Sequence, residues 1–422
     1  MMKRLLIYAS AMLALLFSSV EAADAKEPVV KTGIEVLRDR GFDILVGKRV
    51  GLVTNPSGVD SGLKSTIDIL YKAPGVQLVA LYGPEHGVRG DVYAGGKVSD
   101  TKDEATGLPV YSLYGATRKP TPEMLEGIDV MVYDIQDVGV RSYTFISTLG
   151  LVMQACAAKG IEVVVLDRPN PLGGNKIEGS YVEPGFYSFV SQYRIPYIYG
   201  LTVGEFAEFI NEEGLNKGQK GTDVHQKCNL TVVPMEGWTR DMLYEDTGLP
   251  WVLPSPNIPF KDTPMYYAAS GLCGELYGFM NIGIGYTLPF QLFGATWLDA
   301  VKLKAKLDSY NLPGISFRTI WFKPFSGSQK GQLVQGLQYF FTDYEKARVT
   351  ETQFYVIQAV KELYPDKGAF EVISGYGLFD KVCGTDYVRL ELSKGYKVAD
   401  IQSFWRKDED SFRSLSQKYH IY

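Results

Sequence analysis

Three carboxylates stand where a proton could be moved: Glu85, Asp134 and Asp137. Each lies just beyond a short apolar run, inside a loop rich in Gly or Pro. Glu85 sits between Pro84 and His86 in Gly83-Pro84-Glu85-His86-Gly87. A carboxyl group held against apolar neighbours keeps its proton to higher pH and can act as an acid near neutrality. Glu85 is therefore the first candidate for a proton donor, and a helix cap or an ion pair with Arg89 is the plainer alternative. Asp134 and Asp137 follow in Asp134-Ile135-Gln136-Asp137-Val138-Gly139-Val140-Arg141. Cleaving a glycosidic bond commonly takes two carboxyls, one as acid and the other as base or nucleophile. Asp137 could instead orient an acetamido group, so that the substrate supplies its own nucleophile. The competing reading gives one of the two aspartates to a helix cap or to Arg141.

Polar groups that could position a substrate occur in the same kind of loop. Asn55 lies in Thr54-Asn55-Pro56-Ser57-Gly58, Arg141 and Tyr143 in Arg141-Ser142-Tyr143, and Asp167, Arg168 and Asn170 in Asp167-Arg168-Pro169-Asn170-Pro171. Arg168 or Arg141 could grip a carboxylate through the planar guanidinium fork, while an ion pair between Arg168 and Asp167 is the structural alternative. His86 could orient a hydroxyl, tune Glu85 or simply pack its loop; His225 and His420 lie in polar or terminal stretches. Rival chemistries lack their signatures. There is no GxSxG elbow, HExxH or GxGxxG, and Gly90 to Lys97 has the wrong spacing for a phosphate loop. Cys156, Cys228, Cys273 and Cys383 are scattered without CxxC spacing; Cys156 reads as a buried free thiol. No metal set and no cofactor is implied.

The loops need a frame. Apolar, β-branched runs at 49–53, 77–81, 130–133 and 162–166 suit strands buried on both faces of a parallel sheet. Helical signals separate them: Thr121-Pro122-Glu123, Ile146 to Lys159 ending at Gly160, and a capping box from Thr202 to Glu205. This alternation predicts a Rossmann-like, doubly wound α/β layer. In such sheets ligands bind beyond the carboxyl ends of the strands, near the reversal of strand order. All four loops fall on that edge. Pro250, Pro254, Pro256, Pro259 and Pro264 then mark a junction, after which Asp299 to Leu307 and Thr350 to Leu363 look helical and Ile315 to Phe322 extended. The expected division is a catalytic domain over 23–255 and a smaller α+β domain over 256–422 that completes the cleft. Residues 1–22 read as a signal peptide, with Lys3 and Arg4, an apolar Leu5 to Phe17 and a small residue at Ala22. An exported protein, periplasmic or extracellular, is the expectation. No later run is long and apolar enough for a membrane helix. A net charge of −5 without a basic run argues against nucleic acid. The 28 tyrosines serve either bulky cores or a cleft that stacks sugar rings.

Taken in order, these loops resemble the NamZ-type exo-β-N-acetylmuramidases, glycoside hydrolase family 171. The resemblance runs through Gly51 to Gly58, Gly83 to Gly87, Asp134 to Arg141, Asp167 to Pro171, Gly200-Leu201-Thr202-Val203-Gly204-Glu205 and Pro254-Ser255-Pro256-Asn257. It implies release of terminal N-acetylmuramic acid from the non-reducing end of peptidoglycan fragments, in a cleft between two domains. It places the family's glutamate on Glu85 and adds Glu275 to the substrate-binding set. Muramic acid carries a lactyl carboxylate, which gives Arg141 or Arg168 a ligand. The chain departs from the family pattern at Ile284 and Tyr286, where Arg and Thr are usual, and at Tyr199, where His is usual. Sugar specificity is open at those positions. A glycan-binding protein without turnover, or a hydrolase of an amide or ester bond in the same fragments, are the alternatives.

Overall fold

The computed structural model describes residues 29–90, 100–215, 226–371 and 375–422; the segment 1–22, most of Gly90 to Lys97, and His225 lie outside them. The apolar runs become strands β1 (Arg49–Thr54), β2 (Gln77–Gly83), β5 (Val130–Asp134) and β6 (Glu162–Leu166). Three further strands, β3 (Thr101–Lys102), β4 (Pro109–Ser112) and β7 (Leu230–Val233), extend them to a seven-stranded sheet ordered β3-β4-β2-β1-β5-β6-β7. Neighbours are parallel throughout, except that β3 runs antiparallel on β4. Without β3 this is the doubly wound order, and it reverses between β1 and β5.

Alternation along each strand builds two cores. In β5, Val130 and Val132 face α1 (Gly33–Asp39) and α2 (Thr66–Tyr71), while Met131 and Tyr133 face α3 (Phe145–Lys159) and α4 (Val203–Glu213). All four side chains are fully buried, and each contributes about 1.5–3 kcal/mol of apolar burial. Local signals set the helix ends. Gly160 takes a left-handed conformation (φ 69°) to close α3, and Thr202 with Glu205 forms the expected capping box on α4. Thr121-Pro122-Glu123 does not start a helix, because 122–127 form turns that end in the left-handed Gly127. A segment that short cannot offset the cost of nucleation.

The remainder is α+β. Helix α5 (Thr263–Gly274) precedes β8 (Leu292–Ala295), α6 (Ala300–Asp308), β9 (Ile315–Phe322), β10 (Val334–Phe341) and α7 (Thr352–Leu363). Asp299 caps α6 by accepting from the Val301 and Lys302 N–H groups. The strands pair antiparallel in the order β8-β10-β9. Short helices α8 (Gly377–Cys383), α9 (Tyr387–Gly395), α10 (Ala399–Arg406) and α11 (Glu409–Ser416) follow. The chain end returns to the first layer: Phe412 enters the core under α3 and α4, and the Tyr422 hydroxyl donates to Asp167 at 2.7 Å. All four cysteines are buried and unpaired. Among the described residues no helix is long and apolar enough to cross a membrane.

Candidate active site

A cavity of about 460 Å³ opens beyond the carboxyl ends of β2, β4 and β5, and the α+β part supplies its other wall. The β2 end provides Glu85 and His86, and the β4 end Tyr114 and Arg118. The β5 end provides Ser142, Tyr143 and Thr144. Tyr267 and Glu275 come from α5 and its end, Phe290 from the approach to β8, and Lys381 from α8.

Glu85 is aimed by a tight turn, in which the Gly87 N–H donates to the Pro84 carbonyl at 2.9 Å. His86 occupies the third turn position with φ 74°, a place that favours glycine. Phe290, on the opposite wall, also has a positive φ, of 66°. Both residues line the cavity, and a left-handed backbone at a non-glycine residue persists only where the surrounding fold over-determines it. The Thr144 hydroxyl donates to Glu85 Oε2 at 2.8 Å, and the Tyr114 hydroxyl is a second partner of the same carboxylate. The aromatic wall is continuous. Tyr143 meets Tyr267 edge-on at 5.6 Å, and Tyr267 meets Phe290 at 4.9 Å.

Glu275 is the second carboxyl in the cavity. It caps the C-terminal end of α5. Burial pushes its pKa up to about 7, and the negative end of the helix dipole acts in the same direction. Tyr267 lies within electrostatic reach of both Glu275 and Glu85.

Asp137 stands behind this wall. Its Oδ2 accepts from the Tyr199 hydroxyl at 2.5 Å and the Gly139 N–H at 2.8 Å, while Oδ1 has no hydrogen-bond partner among the described residues. Burial raises its pKa to about 6. Tyr143 and Tyr267 sense its charge, but it is not among the residues that line the cavity. Asp134 is further removed. It is fully buried in a bidentate pair with Arg168 (2.5 and 2.9 Å) and also accepts from Thr66. That pair, with the Arg168 bond to the Val59 carbonyl, closes the reversal point between β1 and β5. Only a cleft of about 10 Å³ is left at this expected place for a ligand, and the cavity that holds Glu85 opens over β2, β4 and the β5 loop instead. Asp134 therefore belongs to the frame, as does Arg168, whose partner is Asp134 rather than Asp167.

The other positions follow the same logic. Asn55 ties β1 to the proline segment through the Pro254 carbonyl at 3.0 Å. Asp167 accepts from the Gly204 N–H at the start of α4 and from Thr202 and Tyr422. Asn170 spans the Leu201 carbonyl and the Leu172 N–H. Arg141 donates to the carbonyls of Ser180, Ile195, Val382 and Cys383 at 2.7–3.1 Å, and burial pulls its guanidinium pKa down to about 10. It rivets α8 to the β5 loop and is not among the residues that line the cavity. Replacing it with methionine leaves four carbonyls short of a donor. Arg141→Met is expected to cost about 3 kcal/mol or more, read as a lowered urea midpoint; an unmoved midpoint would refute the rivet.

Of the sequence candidates, Glu85, His86, Tyr143 and Glu275 meet in the cavity. Sequence reading missed Tyr114, Arg118, Tyr267 and Lys381. For the first two, the signal was a polar loop after the weak strand β4, which the apolar runs overshadowed. Among the departures from the family pattern, Ile284 packs on the α+β core, Tyr286 packs at a tilt against Phe322 and Tyr199 bonds Asp137; none lines the cavity.

Comparison with known proteins agrees with this architecture. The family models for the N- and C-terminal parts of exo-β-N-acetylmuramidase NamZ match residues 50–262 and 265–422. The chain is 44% identical to the peptidoglycan β-N-acetylmuramidase NamZ of Bacillus subtilis over 398 residues, covering 94% of this chain and 92% of that one. Two crystal structures of DUF1343-family proteins from Bacteroides fragilis are also similar. One is 53% identical with a TM-score of 0.88 and the other 29% identical with a TM-score of 0.72; each comparison covers 93% of this chain and 99% of the other.

Proposed function

This chain belongs to the NamZ exo-β-N-acetylmuramidase family, and from that premise we propose that it hydrolyses terminal N-acetylmuramic acid from the non-reducing end of peptidoglycan fragments, with Glu85 and Glu275 as the working carboxyls. The observation that carries this reading is the pairing of two carboxyls in one aromatic-walled cavity of about 460 Å³. That volume suits one substituted sugar rather than a run of them, in keeping with action at a chain end.

The roles divide by environment. Glu275, pushed up to about 7 by burial, keeps its proton near neutral pH and is the donor to the leaving oxygen. Glu85 accepts hydrogen bonds from the Thr144 and Tyr114 hydroxyls and takes the part of base or nucleophile of the pair. This exchanges the part that sequence reading gave Glu85, and it moves the second carboxyl from the β5 loop to the end of α5. His86 and Tyr143 flank the sugar; Asp137 supports the wall from behind. The hydrolysis needs no cofactor. The residue 1–22 pattern supports export to the periplasm or beyond.

The test is chromophore release from an aryl N-acetylmuramide, together with digestion of a defined glycan. Release from the aryl substrate and loss of only the terminal muramic acid from the glycan are expected. Binding without release would instead favour a glycan-binding role.

A further inference from the structure

We propose that Arg118 and Lys381 form an anion-reading edge of the cavity, selecting the acidic sugar by its lactyl carboxylate. The inference rests on the muramidase reading for the identity of the sugar, and on geometry for the residues. An acidic sugar needs a cation in its pocket. Arg141 and Arg168, the cations that sequence reading offered, are committed to backbone carbonyls and to Asp134. The position where the family usually has arginine is Ile284, outside the cavity lining.

Arg118 and Lys381 do line the cavity, one on each wall. Among the described residues neither takes part in an ion pair; Asp380, next to Lys381, is held by Arg389 at 2.8 Å. Arg118 is placed rather than loose. Its guanidinium lies 4.3 Å from the Phe189 ring centroid and 5.5 Å from that of Tyr114. A guanidinium held against aromatic rings by its charge spends no carboxylate partner there and can still offer its N–H fork to an anion. Tyr114 also bonds Glu85, so the cation stands one ring away from the working carboxylate. Lys381 is carried on α8, which Arg141 fixes to the β5 loop through the Val382 and Cys383 carbonyls.

The experiment pairs two sugars that differ only in the lactyl group. Calorimetric binding of N-acetylmuramic acid and N-acetylglucosamine, and kcat/KM on their aryl glycosides, are compared for wild type, Arg118→Gln, Arg118→Lys and Lys381→Gln. Wild type prefers the acidic sugar. Each glutamine variant loses roughly 10- to 100-fold on it, the scale of a charged hydrogen bond, and changes little on the neutral sugar. Arg118→Lys recovers part of the loss. Equal losses on both sugars, no loss on either, or a wild type without preference would overturn the proposal. Because binding is read without turnover, a wild type that discriminates yet hydrolyses nothing would sink the muramidase reading while leaving the anion edge standing.

Discussion

Glu85→Gln is expected to lower kcat on an aryl N-acetylmuramide by about 10²-fold or more, the scale of lost acid–base catalysis, with little change in fold. The substitution keeps the shape of the side chain and removes its charge. The amide oxygen of the glutamine can still accept from Thr144, so the turn that holds His86 at φ 74° stays satisfied. A base or a nucleophile must carry its electron pair to water or to the anomeric carbon, and an amide does neither. The loss should therefore be independent of the leaving group, appearing as strongly with a dinitrophenyl glycoside as with a sugar aglycone. A rate within a few fold of wild type would remove Glu85 from the chemistry. A loss confined to poor leaving groups would return it to the donor role. Arg118→Gln makes a useful contrast, because it leaves both carboxyls in place and should spare the neutral sugar.

That Glu85 could be read from its place after a strand, while Glu275 entered only through the family resemblance, has a physical basis. The frame was legible because strands buried on both faces must be continuously apolar, and β1, β2, β5 and β6 all fell where such runs occur. Glu85 was legible because it follows β2 directly. The β5 loop misled for a related reason. A buried ion pair and a catalytic pair are built from the same residue types at the same strand ends, and only coordinates distinguish them. Asp134 with Arg168 satisfies its charge internally, at 2.5 and 2.9 Å. Such a pair fixes the geometry of the reversal point and has no group left over for substrate. Tyr267, Glu275 and Lys381 reach the cavity from far along the chain, through the packing of the α+β part. That packing carries no local periodic signal. The left-handed backbone of the cavity residues His86 and Phe290 was equally invisible, since neither histidine nor phenylalanine announces it.

Glu275→Gln should separate the two roles by pH and by leaving group. In the wild type, kcat/KM is expected to fall as pH rises through about 7, because the donor loses its proton at the value to which burial has pushed it. The glutamine variant should lose that alkaline limb. It should also lose about 10²-fold or more on saccharide substrates, yet keep most of its rate on a dinitrophenyl glycoside, whose leaving oxygen departs without a proton. Stability moves with the same group. A carboxyl whose pKa is raised on folding contributes stability that is fully present below its unfolded value, about 4.3, and is lost as pH rises through about 7. Glu275→Gln removes that loss. The variant should gain on wild type between pH 5 and pH 8, by at most ~3 kcal/mol, as measured by urea midpoints at the two pH values. Asp137 and Asp167, each raised to about 6 by burial, remain in both proteins and cancel in the difference. An alkaline limb that persists in Glu275→Gln would assign the proton to another group. A stability difference that does not change with pH would mean that Glu275 is not desolvated in the folded protein, and the division of labour between the two carboxyls would fail with it.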